Sequence, residues 1–404
     1  MGVRKIIHLD LDAFFCAVEE LRRLDLRGVP FAVGGRPDQR GVVASCSYAA
    51  RQFGVHSAMP TSRALRVCPE LVLISGHHTD YHAASEQVMD ILRQKTPLIE
   101  QISIDEAFLD VSDLSQPGEQ IARELQTEID TRCGLPCSLG VATNKLVAKV
   151  ATNIGKASHR GATPPRAILV VPPGEEAAFL APLPIKELWG VGPKTAAQMV
   201  GFGIKTIGDL AKMPEDWLVR NFGKNGADFK LRAQGRDDRP VETSHEVKSI
   251  SQEVTFDKDI SDLIRLEETL RELSSQVGYR LRQSGYSAST VRLKLRWPDF
   301  STHTRQITLQ QSTDQDGVIF ANVRQLFHTL WQRGKAVRLL GVGASGLSFQ
   351  ARQLSLWDTP NERERRLLQA LDELRQRFGE EAVQHAVSLG KDKPGKHLPA
   401  KDTR

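Results

Sequence analysis

Two short stretches constrain the fold more than any other part of the chain. They are His8-Leu9-Asp10-Leu11-Asp12-Ala13-Phe14-Phe15 near the start and Ser103-Ile104-Asp105-Glu106-Ala107-Phe108 further along. Each joins acidic residues to an apolar run of period two, the pattern of a buried strand that delivers charge to one edge of a sheet. No other part of the sequence gathers acids in this way. Together Asp10, Asp105 and Glu106 offer the oxygen ligands that a hard divalent cation such as Mg²⁺ requires.

Two such ions about 3.5–4 Å apart are the usual apparatus of polymerases and nucleases. With 404 residues the chain is too long for one core, so about two to four domains are expected. A hydrophobic content of 40% and a charged content of 25% place it among soluble globular proteins, and a net charge of +5 permits a polyanionic partner without requiring one. The cysteines Cys16, Cys46, Cys68, Cys133 and Cys137 are odd in number and mostly in apolar context, which fits buried free thiols in a reducing compartment. Cys133 and Cys137 have no second ligand pair for zinc. Arg4, Lys5, His8 and Asp10 interrupt the apolar core that a signal peptide needs, and no run of about 18 apolar residues occurs elsewhere. The expectation is a soluble, cytoplasmic protein.

In chain order, residues 5–12 read as a strand running straight into a helix over 14–22, which puts the acids at the junction. Strands at 29–33 and 41–45 flank the turn-rich loop 34–40, and a helix over 47–53 follows, capped by Ser47 or Ser45 and stopped by Gly54. Tyr48 and Arg51 share a face of that helix. The plainer reading of their spacing is a partly buried tyrosine and a solvated arginine. His77, His78 and His82 show no recognisable zinc pattern and read as a solvated cluster. A helix over 80–95, strands at 99–104 and 107–111 with Asp105-Glu106 in the turn between them, a helix over 118–132, a strand at 136–142 and a helix over 144–154 complete an α+β alternation. Lys145 and Lys149 read as a solvated face of the last helix, with Lys156 at its exit.

Prolines at 164–165 and 172–173 mark a boundary, beyond which the pattern is helical. Leu188-Trp189-Gly190-Val191-Gly192-Pro193-Lys194 has the form of a helix-hairpin-helix turn, whose glycines let backbone N–H groups meet a phosphate. A looser copy lies at Phe222-Gly223-Lys224-Asn225-Gly226, and residues 235–247 look like a linker. From 248 to 349 the order strand, helix, strand, strand, helix, strand suggests a small ferredoxin-like domain. Within it Val291, Leu293, Leu295 and Trp297 alternate with Arg292, Lys294 and Arg296, so one face is basic with no acid on that strand, a surface suited to tracking phosphates. Gln353-Leu354-Ser355-Leu356-Trp357 reads equally as a peptide that docks in a partner's groove or as one that folds back, ahead of a charged helix over 362–378 and a disordered tail from Gly390.

The ordered motifs Lys5 to Phe15, Arg40 to Arg51, Phe53 to Pro60 and Ser103 to Asp110 resemble the Y-family translesion DNA polymerases of the DNA polymerase IV branch, over about residues 3–357. The resemblance implies an α+β multidomain protein shaped as a right hand. Its ferredoxin-like palm would be residues 1–13 and 78–168, its small fingers 14–77, and its helical thumb with a helix-hairpin-helix 169–237. A linker would follow at 238–247, then a β-α-β-β-α-β little finger at 248–350 and a tail at 351–404. By matching position, Asp10, Asp105, Glu106 and the backbone carbonyl of Leu11 would hold two Mg²⁺ ions, with Asp12 in support. Phe15 would be the steric gate against a ribose 2′-hydroxyl, and Ser45, Tyr48, Arg51 and Lys156 would bind the dNTP. Gly190, Gly192 and Lys194, with Arg292, Lys294 and Arg296, would grip template-primer DNA. Gln353, Leu354, Leu356 and Trp357 would bind a sliding clamp, with Trp where Phe is commoner. Phe108 stands where Tyr is usual, and Lys156 lacks the proline that commonly follows it. The expected activity is low-fidelity, template-directed DNA synthesis past damage by a monomer without proofreading and without a membrane. A catalytically silent DNA- and clamp-binding protein is the alternative, and the intact acids count against it. A palm-type cyclase would have no use for the thumb turn, the basic sheet or the clamp peptide.

Overall fold

The computed structural model describes residues 3–244, 246–349 and 359–379. It divides into two compact units, Met1–His245 and Glu246–Arg404. In the first, β1 (Ile6–Leu11) turns at Ala13, in the left-handed region with φ 47°, directly into α1 (Phe14–Arg22). A non-glycine residue there stores about 1–3 kcal/mol of strain. That bend joins strand to helix with no loop between them.

A small sheet in the order β3-β2-β4 follows, built from β2 (Phe31–Gly34), β3 (Val43–Cys46) and β4 (Val72–Ile74), with β2 and β3 antiparallel as expected. It carries α2 (Tyr48–Gln52), capped by Ser47, whose Oγ accepts from Ala50 N, and α3 (Thr61–Val67). The chain then forms α4 (His78–Lys95), β5 (Ile99–Gln101), β6 (Glu106–Asp110), α5 (Gly118–Cys133), β7 (Cys137–Ala142), α6 (Lys145–Ser158) and β8 (Ile168–Val170). The resulting sheet runs β5-β6-β1-β7-β8. Since β1 is antiparallel to both neighbours and β5 to β6, β1 and β5 are parallel across β6, and β6 and β7 are parallel across β1. These are the two interleaved split βαβ units of a ferredoxin-like core.

Period two along β1 sorts its side chains between two layers. Ile7, Leu9 and Leu11 join the core beneath α4 and α5, whereas Ile6 joins the core shared with α6. His8 and Asp10 therefore point to the α6 side as well. That second core continues into α7 (Glu176–Leu180), α8 (Pro193–Gly201), α9 (Ile207–Lys212), α10 (Glu215–Phe222) and α11 (Asn225–Ala233), through Leu180, Met199, Leu210, Leu218 and Phe229. Residues 235–242 are not the free linker that their composition suggests. Asn144 Nδ2 donates to Gly235 O at 2.8 Å, Asp237 accepts from Leu146 N at 3.1 Å, Val241 is buried, and Glu242 N donates to Glu100 at 2.8 Å. Polar anchoring of this kind leaves no apolar pattern to read.

The second unit has the expected element order: β9 (Ser249–Ile260), α12 (Leu263–Gln283), β10 (Tyr286–Arg296), β11 (Thr302–Thr313), α13 (Asp316–Leu330) and β12 (Val337–Phe349). Its sheet, however, runs β11-β10-β12-β9 with every pair antiparallel. In the first unit the opening strand lies inside the sheet; here β9 is at the edge. The ferredoxin-like expectation is corrected for this unit, because periodicity fixes element order but not pairing partners. α14 (Thr359–Phe378) docks on the same unit through Arg282, which bonds Asp316 at 2.8 Å and Asp372 at 2.6 Å. All five cysteines are free thiols. Among the described residues no helix is long and apolar enough to cross a membrane.

Candidate active site

Asp10 on β1 and Glu106 on β6 are direct cross-strand partners, so Glu106 opens its strand rather than sitting in the preceding turn. Asp105 is tied to the same corner: its carbonyl accepts from Leu11 N at 2.9 Å, and its carboxylate accepts from Ser103 Oγ at 2.5 Å. Across this corner lies α6, with Lys145, Lys149, Thr152 and Lys156 at intervals that share one face. Lys149 reaches Glu106 at 2.5 Å, and Lys156 reaches Asp10 at 2.6 Å and Asp12 at 3.1 Å. Lys145 bonds Glu100 at 2.7 Å, and Thr152 Oγ1 lies 2.9 Å from His8 Nδ1.

The solvated lysine face is thus overturned: the Lys145 and Lys149 side chains are only 3% and 14% exposed. Spacing shows which residues share a face, not whether that face is buried. A signal was available in Leu146, Val147, Ala148, Val150 and Ala151, which leave this helix apolar nearly all round, the mark of a buried helix.

Burial pushes the Asp10 carboxyl up, Lys156 draws it down, and Asp105 and Glu106 push it further up, for a net rise. Burial also acts upward on Glu106, but hydrogen bonds from His8 and Lys149 outweigh it and bring the group to about 2. His8, fully buried, is pulled down to about 4 by desolvation. It is therefore neutral near pH 7, and its 3.4 Å approach to Glu106 is a polar contact rather than an ion pair. Burial works against the Lys156 cation, yet Asp10 and Asp12 hold its pKa above the usual lysine range. Asp12 is wholly buried and occupied, accepting from Ser138 Oγ at 2.9 and 3.0 Å and from Arg166 N at 3.0 Å. It holds Lys156 and the strand edge in place.

Among the described residues no three metal-ligating side chains converge, and Lys149 and Lys156 are paired with Glu106 and Asp10. The donor set nonetheless suits Mg²⁺: carboxylates only, at the end of one strand pair, close enough that Asp105 and Glu106 both raise Asp10.

Tyr48 and Arg51 do face one another, with the guanidinium 4.4 Å from the ring centroid. Tyr48 Oη is buried with no hydrogen-bond partner among the described residues. Burial, and then Asp12, push the phenol up to about 12, while Lys156 and Arg51 act against them. Tyr48 thus feels both Arg51, over its ring, and Lys156, beside Asp10 and Asp12. His159, which sequence reasoning missed, lies edge-on to Tyr48 at 6.3 Å with its own Nε2 buried and unpartnered. Ser45 does not join them; it is buried against Cys16.

Phe14 is core, whereas Phe15 is only half-buried. Phe15 stacks on Tyr81 at 4.3 Å and 13° and meets the edge of His78 at 6.0 Å. Tyr81 is fully buried and donates to Glu19 at 2.6 Å, and His77 bonds the same carboxylate at 2.8 Å. His77, His78 and His82 are all exposed, as expected of a solvated cluster, although His78 also meets the edge of Phe15 and His77 bonds Glu19.

In the helical segment Gly190 has φ 96° and Gly192 opens α8, leaving Lys194 exposed. A Cβ on Gly190 would lie 2.5 Å from Arg232 Nη1, so α11 brings a further cation to this turn. The second hairpin is present between α10 and α11, where a Cβ on Gly226 would strike the Leu218 backbone at 2.4 Å. On the open sheet face of the second unit Arg292, Lys294 and Arg296 stand out as expected, opposite buried Val291, Leu293 and Leu295. That face also carries an acid: Glu253 on β9 pairs with Lys294 at 2.6 Å across Gly341. It comes from two strands away, beyond the reach of a single-strand pattern. Gln353, Leu354, Leu356 and Trp357 lie outside the described residues.

The family model described as the impB/mucB/samB family matches residues 9–153, its C-terminal domain matches 247–356, and the IMS family HHH motif matches 173–204. The chain is 42% identical over 389 residues to the DNA polymerase IV of Desulfatibacillum aliphaticivorans, covering 95% of this chain and 96% of that one. It is 39% identical over 395 residues to the DNA polymerase IV of Opitutus terrae, covering 96% and 98%. A solved Y-family DNA polymerase chimera, Dbh-Dpo4(243-245)-Dbh, shares the fold with a TM-score of 0.74 at 24% identity, over 85% of this chain and 99% of that one. The chain belongs to the impB/mucB/samB family, the Y-family DNA polymerases that include DNA polymerase IV, and is a DNA-directed DNA polymerase.

Proposed function

We propose that this polymerase extends a primer by two-metal-ion catalysis at Asp10, Asp105 and Glu106, and that it acts in damage tolerance without proofreading. The observation that carries the reading is the corner itself. Asp10 and Glu106 are cross-strand partners there, with Asp105 tied to the same strand end, Lys156 on Asp10, and a buried, unpartnered Tyr48 hydroxyl whose ring is faced by Arg51. When bound, two Mg²⁺ ions would lower the pKa of the primer 3′-hydroxyl and neutralise charge on the α-phosphate. Asp10, Asp105, Glu106 and the Leu11 carbonyl are the residues that would hold them.

The other side chains bind and orient. Tyr48 Oη and the Arg51 guanidinium donate to triphosphate oxygens, where charge-assisted bonds are the stronger kind. Lys156 moves between Asp10 and the triphosphate, keeping a charged partner in either place. Phe15, braced by Tyr81, lies against the sugar and excludes a 2′-hydroxyl. Gly190, Gly192 and Lys194, with Arg292, Lys294 and Arg296, hold the template-primer backbone, and residues 353–357 tether a monomeric enzyme to a sliding clamp in the cytoplasm. Primer extension with dNTPs and Mg²⁺ tests this. Wild type extends, whereas Asp105→Ala with Glu106→Ala binds template-primer but does not; extension by the double variant would refute the assignment.

A further inference from the structure

We propose that residues 235–242 form a strap that is a positioning element for catalysis, fixing α6 and, through Lys149 and Lys156, the carboxylates of Glu106, Asp10 and Asp12. This rests on those carboxylates being the catalytic ones. The first turn of a helix leaves N–H groups that need outside acceptors. In α6, Val147 N is served by its own cap, Asn144 Oδ1, at 3.0 Å, but Leu146 N donates to Asp237 Oδ2 at 3.1 Å. The cap is held in turn by the strap, since Asn144 Nδ2 donates to Gly235 O at 2.8 Å. Gly235 has φ 74°, and a Cβ there would lie 2.7 Å from Glu176 Cβ, so the strap runs close against α7.

Asp237 is 9% exposed and takes both Arg239 Nε at 2.7 Å and Nη2 at 2.8 Å. A carboxylate at this end also complements the helix dipole. The Arg239 guanidinium lies 4.7 Å from the Trp189 ring centroid, and that ring meets Phe108 at 5.5 Å and has Lys149 Nζ at 5.8 Å. Lower down, Glu242 N donates at 2.8 Å to Glu100 Oε2, the oxygen that Lys145 also bonds at 2.7 Å. The strap thus grips α6 by its first-turn N–H group, by its cap and through the partner of its first lysine.

A helix transmits such a grip as a rod. Lys149 and Lys156 stand only about 6 and 17 Å along the axis from Lys145 at 1.5 Å per residue. They are the residues that bond Glu106, Asp10 and Asp12. A misplacement of about 1 Å at reacting groups costs on the order of 100-fold in rate. Trp189 directly precedes the Gly190 turn, so the same strap links a candidate DNA-gripping turn to the catalytic corner.

The test uses the full chain in single-turnover incorporation on saturating template-primer, with Asp237→Ala, the milder Arg239→Lys, and Thr206→Ala as a control. Thr206 caps α9 in a capping box with Asp209. Asp237→Ala should slow incorporation about 10- to 100-fold at saturating dNTP while template-primer affinity stays within about threefold. Arg239→Lys, which keeps the charge but loses the fork, should be slowed several-fold, and Thr206→Ala should not be slowed. Asp237→Ala combined with Lys149→Ala should lose less than the two single losses combined, because Lys149 is one of the two routes through which the strap acts. Hydrogen exchange provides a readout independent of catalysis: Asp237→Ala should speed exchange across the first turn of α6. Unchanged exchange there, an unaltered rate in folded Asp237→Ala or Arg239→Lys, or additive losses would each overturn the strap. A wild type that cannot extend primers, with the exchange effect intact, would instead overturn the catalytic reading.

Discussion

Replacing Phe15 by Ala isolates sugar selection from everything else at the site. The ring is half-buried and cannot retreat. Tyr81 lies parallel behind it at 4.3 Å, fully buried and pinned to Glu19 at 2.6 Å, and His78 closes its edge. Pressing a 2′-hydroxyl onto a ring so braced resembles adding a heavy atom to a packed core, which costs about 1–3 kcal/mol. At 1.36 kcal/mol per factor of ten, that is roughly 5- to 150-fold in kcat/KM, and the rigid backing favours the upper end. Phe15→Ala should therefore raise the ratio of ribonucleotide to deoxynucleotide kcat/KM by about 100-fold, measured by single incorporations of rATP and dATP opposite template T. Phe14→Ala is the contrast: that ring is 2% exposed, so its loss should cost about 3–5 kcal/mol of stability and leave the ratio alone. An unchanged ratio in Phe15→Ala would show that Phe15 packs the fold and selects nothing.

Two further outcomes follow from the same structure. His8 titrates near 4 when folded and 6.5 when unfolded. The unfolded chain therefore binds the proton more readily between those values, and stability present above pH 6.5 is lost as pH falls towards 4, by up to about 3 kcal/mol. Glu106, depressed from 4.5 to about 2, adds its own loss from about pH 4.5 downwards, overlapping only the low end of that window. Denaturant unfolding at pH 7 and pH 4.5 should show this slope, and His8→Gln should flatten it; an equal slope in the variant would remove His8 from the account. Deleting residues 353–357 should leave basal extension intact and abolish stimulation by a sliding clamp, and stimulation that survives would rule the peptide out as the tether.

Much of the fold was legible because its signals are local. Strand period, caps and glycine stops located the elements of the five-stranded sheet and of the second unit, though not α3, β4 or the separate helices α7 and α9 to α11, and the alternation of Arg292, Lys294 and Arg296 with apolar residues gave the orientation of β10 correctly. What was not legible is pairing at long range. The edge position of β9, the Glu253 that neutralises Lys294, and the Asp237 cap on Leu146 all depend on residues far apart in the chain. Lys145 and Lys149 show the same limit at the site, since a lysine in a buried helix face looks like a solvated one until its carboxylate partner is known. The inward turn of the Ser45 side chain onto Cys16 is likewise a long-range contact that its own strand pattern does not show.

The central claim, that Asp10, Asp105 and Glu106 form the catalytic metal centre, is tested most directly by anomalous diffraction. The crystals would hold the chain with template-primer, a non-hydrolysable dNTP and Mn²⁺. Two Mn²⁺ peaks should lie on those three carboxylates about 3.5–4 Å apart, with Lys149 and Lys156 displaced from the acids and Tyr48 Oη bonded to the triphosphate. Density for nucleotide with no Mn²⁺ on these residues, or with the metal held elsewhere, would contradict it.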